Sequence, residues 1–251
     1  NVESGRRQPD SPLHCLTIYL ETHTMAPASA TKIRRIERTI KSATTHIAKH
    51  WSIWAWAAVL VAVNFPLLWG EIRSGMVFFP DAARSGQWWR VATFALVHLS
   101  WYHLLLDAGG FLLLFSCLEE KRSAAKFFYI LGAGGGTLLL SLAMDPTVSQ
   151  QGLSGLSGIA HGLMAVSAVE MLRTRAQRSW GCVSLAIVVL KSAYELWSGH
   201  VVFEFLHMGM CGQPIAASHA GGVIGGLLAY ALFNFPLFGQ RKGMTNRCLK
   251  S

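Results

Sequence analysis

Six stretches of roughly 20 residues, at 51–69, 91–117, 126–144, 156–172, 180–197 and 216–235, hold almost no charged side chain. A helix of that length matches the apolar thickness of a bilayer. Inside a bilayer every backbone N–H and C=O must be satisfied within the protein, which favours helices. The sequence therefore predicts an all-α polytopic membrane protein with six transmembrane helices. Charged residues make up only 14% of the 251 positions, whereas soluble domains carry about a quarter.

The net charge of +9 is placed in a way that argues against nucleic acid as a partner. Arg34, Arg35, Arg38, Lys41 and Lys49 precede the first stretch; Lys121 and Arg122 follow the second. Arg173, Arg175 and Arg178 follow the fourth, and Arg241, Lys242, Arg247 and Lys250 follow the sixth. The connections 145–155 and 199–215 contain no Lys or Arg. By the positive-inside rule this alternation puts both termini in the cytoplasm, and the lipid bilayer is the first partner. The loop 70–90 breaks the pattern with Arg73, Arg84 and Arg90, and it holds Met76, Val77, Phe78, Phe79, Trp88 and Trp89. It reads as a partly membrane-embedded lateral element on the outer side.

Three regions follow: a polar and basic cytoplasmic segment 1–50, a membrane domain 51–235 and a basic cytoplasmic tail 236–251. Residues 1–30 lack an apolar core of signal-peptide length. Residues 31–50 read either as a basic amphipathic helix on the cytoplasmic leaflet or as a solvated tail. The first residue is not Met, and Met25 lies just before the basic stretch, so residues 1–24 are expected to lie outside the natural protein. Of Cys15, Cys117, Cys182, Cys211 and Cys248, only Cys211 falls on the predicted outer side, so no disulfide framework is expected. No cofactor is expected. His98 and His103 raise the question of a metal, but no carboxylate or cysteine is expected at their depth to complete a set.

Ser157 opens the fourth stretch, within Gly155-Leu156-Ser157-Gly158, and His219 opens the sixth. With the amino terminus inside, both fall on the outer half of the membrane, together with His98 near the start of the second. Ionisable groups at such positions are costly and call for a functional reason. A serine attacks only when a base can take its proton, and this pair supplies both. The motif Gly152-Leu153-Ser154-Gly155 overlaps the first. Ser157 is preferred over Ser154 because a helix amino terminus, with its partial positive charge, suits an oxyanion. Gly222 and Gly226, with Gly221 and Gly225 beside them, let helix backbones approach closely, as a Ser–His contact requires. His161 lies one turn beyond Ser157, placed to stack on His219, to act as another base or to be a structural hydrogen-bonding group. His103 and Asp107 share a face, and Asp107 is expected about 13 Å deeper than His98 at the helical rise per residue. It is either protonated and a donor, or a carboxylate paired with a cation such as Lys191. Lys191 and Glu195 read as a buried salt bridge, lying with Asp107 outside the outer-half cluster.

These residues resemble the rhomboid family of intramembrane serine proteases, over about residues 51–235. The resemblance rests on Gly-x-Ser-Gly at Gly155–Gly158, on His219 followed by Gly222 and Gly226, on His98, His103 and Asp107 at the spacing of a family His-x-x-x-x-His-x-x-x-Asn, on Trp89-Arg90, and on Glu120-Lys121-Arg122. It implies a six-helix rhomboid-like bundle, with Ser157 as nucleophile, His219 as general base, and an oxyanion held by His103 and the Ser157 backbone N–H. Asp107 departs from the family Asn, and His161 stands where an aromatic residue commonly stacks on the catalytic histidine. Gly155-Leu156-Ser157-Gly158-x-x-His161-Gly162 and the group Lys191, Tyr194 and Glu195 look most like rhombosortases. That subgroup implies a bacterial inner-membrane enzyme whose substrates are membrane-anchored proteins with a C-terminal tail of glycines, a membrane helix and basic residues.

Three functional readings stand side by side. The first is a Ser–His protease with its site toward the outer face, the histidine oriented by packing alone and the loop 199–215 acting as a gate. The second is a pseudoprotease that binds membrane helices without cutting them, and the third a small transporter or channel.

Overall fold

The computed structural model describes residues 51–202, 204–208 and 210–234. The segment 1–30, the amphipathic helix considered over 31–50 and the tail 236–251 lie outside the described residues. Helix α1 (Trp51–Trp69) finishes as a 3-10 turn, Phe65–Trp69, closed by Gly70 at φ 75°. Two short helices follow, α2 (Pro80–Arg84) and α3 (Arg90–Thr93), the latter running into a 3-10 turn, Phe94–Leu96. The remaining helices are α4 (Trp101–Cys117), α5 (Ser123–Met144), α6 (Val148–Gln151), α7 (Ser157–Leu172), α8 (Arg178–Ser198) and α9 (Ala216–Asn234). Among the described residues no strand forms; Phe78 and Leu153 make one isolated antiparallel bridge.

The described residues are thus all-helical, and the chain is multi-pass. By length and composition α1, α5, α8 and α9 are able to cross a membrane, and α3 with α4 adds a fifth span if the bent pair is taken as one. The fourth apolar stretch forms a helix of only 16 residues, α7.

The second stretch departs from expectation. It is broken, with a 94° bend between 90–96 and 101–117. Val97 and Ser100 are extended, so four residues leave the helix and their backbone groups need other partners. Asn64 of α1 bridges the break: its Oδ1 accepts from the His98 N–H (2.9 Å) and its Nδ2 donates to the Leu96 carbonyl (2.7 Å). Ser100 then restarts the helix as an N-cap, its Oγ accepting from the His103 N–H at 3.1 Å, as serine does at such positions. A depth for His98 counted along a straight helix fails here, because the break folds it back over α4.

Helix α9 is the most deeply packed. Two glycine rows on it face two neighbours. A methyl group at Gly222 or Gly226 would collide with the backbone of Gly158 or Gly162 in α7; one at Gly221 or Gly225 would collide with Gly136 or Gly132 in α5. The spacing read from the sequence is therefore used twice, and α9 is wedged between α7 and α5 with backbones in contact.

The segment 70–90 is braced by bonds within itself. Arg90 donates to the Ser74 and Val77 carbonyls, and the Trp89 indole N–H donates to the Gly75 carbonyl (3.1 Å). Phe78 and Val77 are buried while Trp88 is exposed. The bridge from Phe78 to Leu153 (3.0 and 2.9 Å) ties this element to the strand-like approach to Ser157. At the opposite end of α4, Arg122 grips Glu120 through two nitrogens (3.0 and 2.7 Å), and these bonds hold the Glu120 carboxyl down to about 2.

Gly222→Ala is expected to destabilise the protein by about 1–3 kcal/mol or more, the usual cost of overpacking. Gly110→Ala, where an added methyl meets no atom within 4 Å, is expected to be neutral or stabilising, since alanine favours helix. Thermal unfolding of both variants in detergent checks this, and equal stabilities would contradict the tight α7–α9 contact.

Candidate active site

Ser157 is the first residue of α7, and no side chain within α7 caps it. The two N–H groups exposed there, of Leu156 and Ser157, are taken by Asp107 Oδ2 from α4, at 2.7 and 3.1 Å. A carboxylate at a helix amino terminus is favoured by the helix dipole as well as by the bonds. The approach is made possible by Gly155, at φ 99°, where a Cβ would meet Asp107 Oδ2 and His103 Nε2 at 2.7 and 2.8 Å. Gly158 is needed for a different reason: a methyl there would meet Thr137 and the Ser218 carbonyl.

His103 Nε2 lies 3.2 Å and His98 Nε2 3.5 Å from the same Asp107 oxygen. The Leu99 N–H points to His103 Nδ1 (3.4 Å); a ring nitrogen that accepts on one side carries its proton on the other, so His103 Nε2–H donates to Asp107. Four groups thus converge on one carboxylate oxygen. This differs from what the sequence alone suggests. Asp107 does not pair with Lys191. Its Oδ2 accepts from both N–H groups. In this structure the Ser157 N–H, expected to serve an oxyanion, is taken by Asp107 Oδ2. A carboxylate does join His98 and His103, because the broken helix brings His98 to the depth of Asp107.

Across the site His219, near the start of α9, directs Nδ1 to Glu195 Oε2 at 2.7 Å. Glu195 is fully buried, and its other oxygen accepts from Lys191 Nζ (2.6 Å) and the Val202 N–H (2.8 Å). Lys191 also reaches His161 Nε2 (2.9 Å), whose Nδ1 meets the Ser157 carbonyl (2.7 Å). An ammonium only donates and a carbonyl only accepts, so His161 is held as the neutral Nδ1–H tautomer. The His161 and His219 rings stack, centroids 4.0 Å apart and planes 15° apart. Of the alternatives for His161, the stack is the one the structure contains, beside a structural hydrogen bond.

The sequence alone reads Lys191 and Glu195 as an isolated salt bridge away from the outer cluster. It misses that α8 ends at Ser198, three residues past Glu195, so Glu195 sits at the same end of the bundle as the start of α9. It also leaves His219 to packing alone, whereas a carboxylate holds it. Tyr194, grouped with them in the sequence, is exposed and stands beside Trp197.

Ser157, Ser154, His219, His103 and Asp107 line one cavity of about 170 Å³, together with Gln151, Cys211 and Ser218. The loop after α8 is tied to the start of α4: Tyr102 Oη donates to the Leu206 carbonyl and Ser100 Oγ to the Met210 carbonyl, both at 2.6 Å. Chemically this is a hydroxyl and an imidazole facing one small polar space with clustered donors. His161, Glu195 and His219 bring ligand-type atoms within 4.8 Å of one another, but the Lys191 ammonium already provides the positive partner there.

A family model for the rhomboid domain matches residues 85–235. The comparison with curated proteins finds no match. The comparison with solved structures finds none either.

Asp107→Ala leaves the Leu156 and Ser157 N–H groups without their acceptor, at about 1–3 kcal/mol for each buried donor. Asp107→Asn keeps one oxygen for them and is expected to cost less. Thermal unfolding in detergent separates the two; an alanine variant as stable as the asparagine one would show that α7 does not depend on this cap.

Proposed function

The chain belongs to the rhomboid family, whose members are generally intramembrane serine proteases acting on membrane-embedded proteins, and on that premise we propose that it is a serine endopeptidase that cuts membrane-anchored chains within the bilayer. The observation that carries this reading is the shared cavity: Ser157 at the amino terminus of α7 and His219 at the start of α9 line one small polar space. Ser157 Oγ attacks the scissile carbonyl. His219 takes the proton at Nε2 and returns it to the leaving amine. The donors gathered around Asp107, chiefly the Ser157 N–H and His103 Nε2–H, are those an oxyanion would use, with Asp107 yielding its place as the tetrahedral intermediate forms.

The narrower reading is rhombosortase-like. It rests on the Gly-Leu-Ser-Gly-x-x-His-Gly run and on Lys191 and Glu195. Its substrates are C-terminal tails with glycines, one apolar span and basic residues. In this reading six segments traverse the bacterial inner membrane, α7 being the short one, with both termini cytoplasmic and the cavity toward the outer face. One observation favours the rival, a pseudoprotease that binds membrane helices: the Ser157 N–H is already occupied by Asp107.

A fluorophosphonate probe, which reports an activated serine, is expected to label Ser157, and His219→Ala is expected to lose the label. Ser157→Ala should abolish cleavage of a reporter ending in a glycine-containing motif, an apolar span and a basic tail, while Ser154→Ala keeps most of it. A label on Ser154, or full labelling of His219→Ala, would overturn the assignment. Wild-type protein that takes no label favours the pseudoprotease, and equal cleavage of a reporter without glycines removes the rhombosortase part.

A further inference from the structure

The geometry points to Glu195 as the positioning residue of a Ser157–His219–Glu195 triad, which rests on the protease reading above and replaces its two-residue site with a three-residue one. A neutral imidazole can carry its proton on either nitrogen, and only the Nδ1–H form leaves Nε2 free to accept from a serine hydroxyl. Which form exists is set by the partner of the other nitrogen. The partner of His219 Nδ1 is a carboxylate oxygen at 2.7 Å, and a carboxylate has no proton to give. His219 is thereby held with Nε2 open.

The carboxylate is itself fixed. Glu195 is fully buried, and every bond it makes has a stated direction: Lys191 Nζ and the Val202 N–H enter at Oε1, His219 at Oε2. Lys191 balances its charge, so the pair is not an orphan ion in an apolar bundle. When His219 accepts the serine proton it becomes a cation, and Glu195 is the anion in contact with it. The ring of contacts returns to the nucleophile, because Lys191 also bonds His161, and His161 bonds the carbonyl of Ser157 and covers one face of His219.

This arrangement makes Glu195→Gln more disruptive than its small change in size. Two donors converge on the Oε1 position, so the amide oxygen must turn to them and the amide NH2 must face His219 Nδ1. That nitrogen then becomes an acceptor, the proton moves to Nε2, and the base is in the wrong tautomer. In a triad of this kind the loss is about 10⁴-fold in the chemical step.

The test uses full-length protein in detergent, the fluorophosphonate probe, and ¹⁵N-histidine NMR. In wild type the probe labels Ser157 and the His219 proton resides on Nδ1. In Glu195→Gln the maximal labelling rate falls by about 10³–10⁴-fold with the probe's half-saturating concentration little changed, and the proton is found on Nε2. Labelling of Glu195→Gln within about tenfold of wild type overturns the triad and leaves the protease reading standing. Slow labelling with the proton still on Nδ1 also overturns it, since the loss would then be structural. Wild-type protein that never labels at Ser157 overturns the protease reading and the triad together. Should Glu195→Gln fail to fold, Glu195→Asp decides: a carboxylate drawn back by one methylene slows labelling and weakens the Nδ1–H signal, and a wild-type rate with that signal lost counts against the proposal.

Discussion

The polar interior of this bundle is organised around two buried carboxyl groups, Glu195 and Asp107. Glu195 satisfies its oxygens with an ammonium, a backbone N–H and an imidazole. Asp107 uses two backbone N–H groups at a helix terminus and His103, with His98 Nε2 3.5 Å away. A buried charge in an apolar medium is tolerable only with such partners, so each acid dictates where several elements must lie. Glu195 fixes α8, the loop after it and α9 relative to one another. Asp107 fixes α4 against the start of α7. The cavity between Ser157 and His219 is what remains open between these two anchored regions.

Asp107 could not reach its partners without a glycine, and α7 and α9 could not touch without others. Gly155 lets the Asp107 and His103 side chains reach the backbone before Ser157, and Gly158 and Gly222 let α7 and α9 touch. In water such contact would be driven by burial of apolar surface. Among lipid tails that drive is absent, and close van der Waals contact between backbones takes its place. Small residues and ionisable ones are thus parts of one design: the first set the distances, and the second need those distances to be short.

Much of this was legible in the sequence. Apolar length located the long helices, because bilayer thickness sets a strong minimum. The glycine spacing around His219 foretold a close helix contact, although not that α9 uses two rows against two partners. The failures share one cause. Depth was counted along ideal helices, and that count breaks at residues 97–100, where Asn64, a residue with no signal of its own in the apolar run, supports an extended segment. His98 and Asp107 therefore looked far apart and are neighbours. Glu195 was misjudged for a related reason: four residues from Lys191 it looked self-sufficient, and nothing local shows that a carboxylate has a second oxygen with another task. Contacts within one helix are readable from spacing; those between helices depend on where each helix stops.

Both charges of the Glu195–Lys191 pair belong to α8, a helix that presents most of its length outward and touches the bundle through α7 and α9. Any sideways displacement of α8, whether from thinning of the surrounding lipid or from a bulky neighbour leaning in, would withdraw the anion from His219 and the cation from His161 in the same movement. The bond that holds His219 and the bond that holds the ring stacked on it would then be lost together.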